Sequence, residues 1–335
     1  MFGTIDSWLL WNLTEKKSHL TDITNASRTL IFDSQKEKWS NEILKILKIP
    51  KSILPNVTPN TYNFGTTKLF GGEINIGGMA GDQQAATIGQ ACFNKGQSKS
   101  TYGTGCFLLM NIGKNFKLSK NKLLTTVAYK IGSEKMYCYE GSIFVAGSAI
   151  QWLRDKLFLF KNSKETNLLY KQANKDESII VIPALTGLGA PHWKPDVRGG
   201  IFGLTRNTSI SEIVKATLDS LAYQTLDLVE GMQKDAKMKI KDMRVDGGMI
   251  ANDNFIQSIS NILQTKIIKP QNIETTALGG AYLAGLNSEL IKDLNTIKKL
   301  WKSKQTYSPK IKKDKVNKKI LKWREAVNFL IKYHS

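Results

Sequence analysis

Glycine-rich turns set between strand-like and helix-like runs constrain this chain more than any other feature. Three stand out: "GDQQAA" at 81–86, "TYGTGCF" at 101–107 and "DGGMIAND" at 246–253. A strand that ends in a tight glycine turn and feeds a helix aims backbone N–H groups and the positive helix end at one point, which suits an anion. Repeated units of this kind point to an α/β fold.

The pattern on either side of these turns supports that class. Ile5, Trp8, Leu9 and Leu13 fall at helical spacing. "SNEILKILK" predicts a second helix with Ser40 as N-cap and Pro50 as stop. "LFGGEINIGGMAG" reads as strand and turn leading to a helix near Asp82. From Ser98 the period changes to two, predicting strands through "SKSTYGTGCFLLMNIG" and "LLTTVAYKIGSEKMYCYEGSIF", with a hairpin at "IGSEK". "VAGSAIQWLRDKLF" is helical and puts Gly147, Gln151 and Asp155 on one face. "IIVIPAL" predicts a buried strand, and the Gly/Pro loop "TGLGAPHWKPDVRGGIFGLT" ends in a short one. A long amphipathic helix follows with Ser209 or Ser211 as cap, then strand, glycine turn and helix around Gly247, and a small-residue helix at "TTALGGAYLAG". Val316, Ile320, Trp323, Val327 and Leu330 form the apolar stripe of a surface helix.

Length and composition exclude several classes. At ~150 residues per domain, 335 residues suggest about two domains. Apolar residues make up 41% and charged residues 23%, a globular balance rather than a disordered one. No apolar run approaches the ~20 residues of a membrane span, and the first residues lack a basic leader. Three scattered cysteines without a Cys-x-x-Cys pair argue against a zinc site and for reduced thiols in a cytoplasmic protein. The net charge of +20 raises nucleic-acid binding as an alternative. The excess is mostly lysine spread along the chain, no nucleic-acid-binding motif accompanies it, and a solvated surface explains it.

The turns also hold the candidate chemical residues. Asp82 at a helix start is either a cap or a general base, and Gln83 beside it suits a second hydroxyl of a small polyol. The glycines around Thr104 allow either a simple hairpin or a turn wrapped round a phosphate. Gly248 offers either a plain βα turn or a flat seat for a base or ribose. "GTT" at 65–67 is rejected as a phosphate loop, because no P-loop pattern surrounds it.

Seven stretches occur together in order: "NASRT" (25–29), "AGDQQAA" (80–86), "TYGTGCF", "IQWLRD" (150–155), "PALTGLGAPHW" (183–193), "RGGIFGLTR" (198–206) and "RVDGGMIAN" (244–252). With "GGIFGLTRNTSISEIVKATLD" they resemble the glycerol kinases of the FGGY carbohydrate kinase family, from Gly3 to about Tyr333. The resemblance implies an α/β, actin-like ATPase (ribonuclease H-like) fold, with a truncated first domain and a complete second one. Residues 1–90 would be the C-terminal remnant of the family's N-terminal domain, and 91–335 its C-terminal, nucleotide-binding domain. The implied reaction is ATP-dependent phosphorylation of glycerol to glycerol 3-phosphate, with Mg2+. By the same resemblance Asp82 is the catalytic base and a water-mediated magnesium contact. Asp82 and Gln83 are glycerol ligands, and Phe107 is an apolar wall. Thr104, Gly147, Gln151, Gly248 and Asn252 are nucleotide contacts.

The family's chains carry an acidic "DQGTT" hairpin and further glycerol ligands ahead of "FGTIDSW", and no "DQGTT" occurs here. The expectation is therefore the C-terminal two-thirds of such a kinase. It would be either completed by a separate N-terminal fragment, or an inactive fragment that binds adenine nucleotide. A homo-oligomer is a further expected partner state.

Overall fold

Alternating β-branched and aromatic residues after Ser98 build the strands that organise the molecule. The computed structural model describes residues 1–174 and 179–335. Ahead of the main sheet lie α1 (Ile5–Leu13), the parallel pair β1 (Leu20–Asp22) and β2 (Asn56–Thr58), and α2 (Asp82–Gly89). The main sheet takes β3 (Ser98–Tyr102), β4 (Cys106–Gly113), β5 (Leu124–Ile131), β6 (Glu134–Ile143), β7 (Asp242–Asp246), β8 (Lys266–Pro270) and β9 (Ser303–Tyr307). Its spatial order is β9-β8-β7-β3-β4-β6-β5. β3, β7 and β8 run parallel, whereas β3, β4, β6 and β5 form an antiparallel run.

Helices cover both faces. α3 (Gly147–Asp155), α4 (Thr166–Gln172), α5 (Ile210–Ala236) and α6 (Asp253–Leu263) lie with the larger core, together with α8 (Lys313–Tyr333). α2 and α7 (Thr275–Asn287) close the opposite face over Leu109, Tyr129 and Cys138. The two faces can be read along β3. Tyr102 donates or accepts a bond with Thr225 of α5 (2.9 Å) and meets Phe255 edge-on, while Lys99 reaches α2. α5 starts where expected: Ser209 accepts from Ser211 N–H, and Glu212 accepts from Ser209 N–H, a capping box.

α2 crosses α7 with backbones touching. A Cβ on Gly89 would lie 1.9 Å from the Thr275 carbonyl oxygen, and one on Gly279 would lie 1.8 Å from that of Ala85. Only glycine fits at this crossing, and it fixes the height of α2 over the sheet.

The expected hairpin at "IGSEK" forms, with Ile131 opposite Glu134 and a two-residue Gly132–Ser133 loop between them. The C-terminal stripe is also as expected, with Val316, Trp323, Val327 and Leu330 buried and Ile320 half-buried against the core. β8, β9, α4 and a helix at Leu294–Leu300 were not anticipated. β9 is an edge strand, "SKQTY", whose first four residues are exposed, so no alternation marks it. Near the other end of the chain, α1 turns Ile5 (74% exposed) and Trp8 (61%) to solvent.

Candidate functional site

Asp82 is the first residue of α2, and the cap position before it is Gly81, which has no side chain to offer. The carboxylate is exposed and accepts from Gln83 N–H (2.8 Å, Oδ1) and from the Gln83 side-chain amide (3.0 Å, Oδ2). The turn beneath it is pinned. Gly81 N–H donates to Thr24 Oγ1 (2.9 Å), and the Thr24 hydroxyl donates to the buried Asp22 carboxylate. Asn60 Nδ2 ties Asp22 (2.7 Å) to the Met79 carbonyl (2.9 Å), so the whole approach to Asp82 rests on one buried polar network.

The Gln83 side-chain oxygen Oε1 accepts from Lys99 Nζ at 2.5 Å, and Lys99 also donates to Thr101 Oγ1 at 2.8 Å. Lys99 is fully buried in β3, and desolvation lowers its pKa against the pull of Asp246, Glu140, Cys106 and Asp82. Thr101 pairs across the sheet with Phe107 on one side and Asp246 on the other. Phe107, 37% exposed, therefore shares the face and sheet level of Thr101.

Three residues beyond Thr101 the chain enters a second environment. Gly103, Thr104, Gly147, Gln151, Gly248 and Asn252 line one cavity of about 800 Å³. Its floor is backbone. The Gly103 and Thr104 carbonyls accept from Gly147 N–H (2.9 Å) and Ala146 N–H (3.0 Å), which ties the β3–β4 turn to the start of α3. A Cβ at Gly147 would sit 2.6 Å from the Gly103 oxygen. Gly247 adopts φ +91°, and nothing lies within 4 Å of where a Cβ on Gly248 would be, so this turn leaves its surface bare to the cavity. Asn252 also caps α6, accepting from Asn254 N–H (3.0 Å) and Phe255 N–H (3.1 Å).

All five positions expected around a nucleotide thus meet in one cavity, while Asp82, Gln83 and Phe107 lie outside its lining. Thr101 and Thr104 are three residues apart, so their Cα atoms lie within ~11 Å. The face of α3 that carries Gly147 and Gln151 does not bring in Asp155, which pairs with Arg154 (2.6 Å). Sequence reasoning missed Arg154, Lys164, Thr166 and Asn167 on the cavity wall, and Lys99 behind Gln83. Lys99 had a signal: it is a charged residue at an inward position of a strand pattern. Among the described residues no group of three or more His, Cys, Asp and Glu stands ready to hold a metal, around Asp82 or elsewhere. Among them also, no helix is long and apolar enough to cross a membrane.

A mixed α/β sheet with a glycine-floored cavity beside a helix-borne carboxylate defines the actin-like ATPase class of fold, and the comparisons with known proteins agree. The C-terminal domain model of the FGGY family of carbohydrate kinases matches residues 99–288, and its N-terminal domain model matches residues 1–89. A glycerol kinase of Gluconobacter oxydans (strain 621H) is 49% identical over 329 residues, covering 97% of this chain and 64% of its own. One from Alkaliphilus metalliredigens (strain QYMF) is 47% identical, covering 99% and 67%. The crystal structure of Plasmodium falciparum glycerol kinase with ADP superposes with a TM-score of 0.92 at 38% identity, over 98% of this chain and 66% of that one. The chain belongs to the FGGY family of carbohydrate kinases. It spans about two thirds of the length of these relatives, with matches in both family domains.

Proposed function

We propose that this chain provides the nucleotide site and the catalytic carboxylate of an ATP:glycerol phosphotransferase that makes glycerol 3-phosphate. The observation that carries the reading is the single strand β3. It links the Lys99–Gln83–Asp82 chain at Thr101 to the cavity at Thr104, a separation suited to a triphosphate reaching from one to the other. The Plasmodium glycerol kinase, whose structure was determined with ADP, and the glycerol kinases among the relatives support a nucleotide and glycerol as the two substrates.

In this reading the adenosine end lies against Gly248, Gln151 and Asn252, and the phosphates run past the Thr104 turn. Asp82 accepts the proton of the attacking glycerol hydroxyl, Gln83 holds a second hydroxyl, and Phe107 covers the carbons. Phosphoryl transfer depends on such positioning more than on covalent help. With no cluster of protein ligands among the described residues, a magnesium ion would rely mainly on the nucleotide phosphates, Asp82 would hold it through water, and the ion would neutralise phosphate charge. Residues 1–90 and 91–335 are read as parts of two domains. The exposed apolar side of α1 supports a further partner for the first: chain of the kind that the family resemblance puts ahead of "FGTIDSW", in cis or as a separate fragment. The three free, buried cysteines support a reducing, cytoplasmic setting.

The test is ADP release from magnesium-ATP with and without glycerol, using Asp82→Asn as control. Glycerol-dependent release lost in the variant supports the reading, and release that survives Asp82→Asn overturns it. One observation favours a second reading, an adenine-nucleotide binder without turnover. The cavity is walled by residues between 103 and 252, whereas the residues named for the polyol end are Asp82, Gln83 and Phe107. Nucleotide binding by calorimetry without any turnover, even after a fragment like the relatives' N-terminal part is added, would establish that second reading.

A further inference from the structure

A lysine with no accessible surface in the middle of a sheet needs a reason. Lys99 has a strand on each side, α2 above it, and no carboxylate within ion-pair distance among the described residues. Burying an ammonium without an ion pair destabilises a fold, and an apolar side chain of the same length would serve packing better. Its two bonds go to neutral acceptors, Gln83 Oε1 (2.5 Å) and Thr101 Oγ1 (2.8 Å).

The Gln83 amide stands between two groups of opposite type. An ammonium only donates and a carboxylate only accepts. One amide orientation satisfies both, with oxygen toward Lys99 and nitrogen toward Asp82 Oδ2 (3.0 Å). The flipped amide would set donor against donor and acceptor against acceptor. This orientation uses one of the two amide protons on Asp82 and leaves the other for a ligand oxygen.

We propose that Lys99 is a positioning residue: its buried ammonium locks the Gln83 amide in one orientation, and through that amide holds the Asp82 carboxylate in place. The link to turnover rests on the proposed role of Asp82; the locking of the amide does not. Lys99→Met removes the donor and keeps the length. In nitrogen-15 spectra the two Gln83 side-chain amide protons should lie away from free-glutamine shifts and exchange slowly with solvent in the parent protein, and should move toward free-glutamine shifts and exchange faster in Lys99→Met. An unchanged pair overturns the proposal. In the glycerol-dependent assay kcat should fall roughly 10–10²-fold, the scale of a misplaced catalytic group, with nucleotide affinity and thermal stability not reduced. The loss should vanish in a Gln83→Ala background. A lowered midpoint of unfolding with equal losses in both backgrounds would make Lys99 merely structural and overturn the proposal. Thr101→Val, which frees one of the two anchors of Lys99, should move each signal the same way by less. It serves as the test if Lys99→Met does not fold. Full turnover in Asp82→Asn would remove the proposed reaction while leaving the amide result to stand or fall alone.

Discussion

The two ends of the site are built by different means. Around the cavity, shape comes from backbone: Gly147 and Gly247 let main chain approach main chain, and Gly248 leaves a bare wall. Around Asp82, shape comes from side chains passed from one element to the next: Thr101 and Lys99 on β3, then Gln83 and Asp82 on α2. Backbone walls suit a ligand recognised by its flat and charged parts. A relay of donors and acceptors suits a small, hydroxylated ligand whose proton must leave at one atom.

The comparison predicts that the two ends fail separately. The largest effect is expected from Asp82→Asn, which should lower glycerol-dependent turnover by ~10²–10⁴ in the complete enzyme while leaving the nucleotide dissociation constant unchanged. Calorimetry beside the turnover assay checks both halves, and a parallel loss of nucleotide affinity would break the distinction. Next comes Gly279→Val. Its side chain would collide with the Ala85 carbonyl oxygen and lift α2, with a loss of roughly 1–3 kcal/mol or more in stability and displacement of Asp82 and Gln83. Denaturant unfolding and turnover should both report it, with nucleotide affinity less affected than turnover. Gly248→Val should do the reverse. Open space surrounds that position, so unfolding should be unchanged, but nucleotide should bind about tenfold more weakly, a change of about 1.4 kcal/mol.

The smallest effect lies outside both ends, at the start of α5. Glu212 accepts from the Ser209 hydroxyl (2.5 Å) and from Asn174 N–H (2.8 Å), and these bonds lower its pKa from 4.5 to about 2. A carboxyl with a depressed folded-state pKa contributes stability that is complete above about 4.5 and is lost as pH falls toward 2. Thermal unfolding between pH 5 and 2 should therefore fall less steeply in Glu212→Gln than in the parent, with neither end of the site altered at neutral pH.

The backbone-built end was far more legible in the sequence than the side-chain-built end. "TYGTGCF" and "DGGMIAND" announce close backbone approach because glycine is placed where other residues cannot go, and that is a local property. The resemblance carried Thr104, Gly147, Gln151, Gly248 and Asn252 to the wall they share. The one signal for Lys99, a charged residue at an inward position of the strand pattern in "SKSTYG", acquires meaning only once the strand is known to lie at the centre of a covered sheet. Asp82 was read locally as a possible cap. The structure assigns the cap position to Gly81, and the Asp82 carboxylate, one residue further on, is exposed and held by Gln83 N–H and the Gln83 side-chain amide.

By itself the sequence determined the α/β class, the run of strands from Ser98 to Ile143, the capped start of α5 and the glycine turns. Each depends on spacing within a few residues, which the chain enforces before any long-range contact forms. Tertiary structure alone decided that Arg154, Lys164, Thr166 and Asn167 face the cavity, that the edge strand β9 exists, and that Lys99 meets Gln83 across 16 residues of chain. Those contacts require α2 to sit at one height over β3. That height is set by the two glycines where α2 crosses α7, one of them nearly two hundred residues away along the chain.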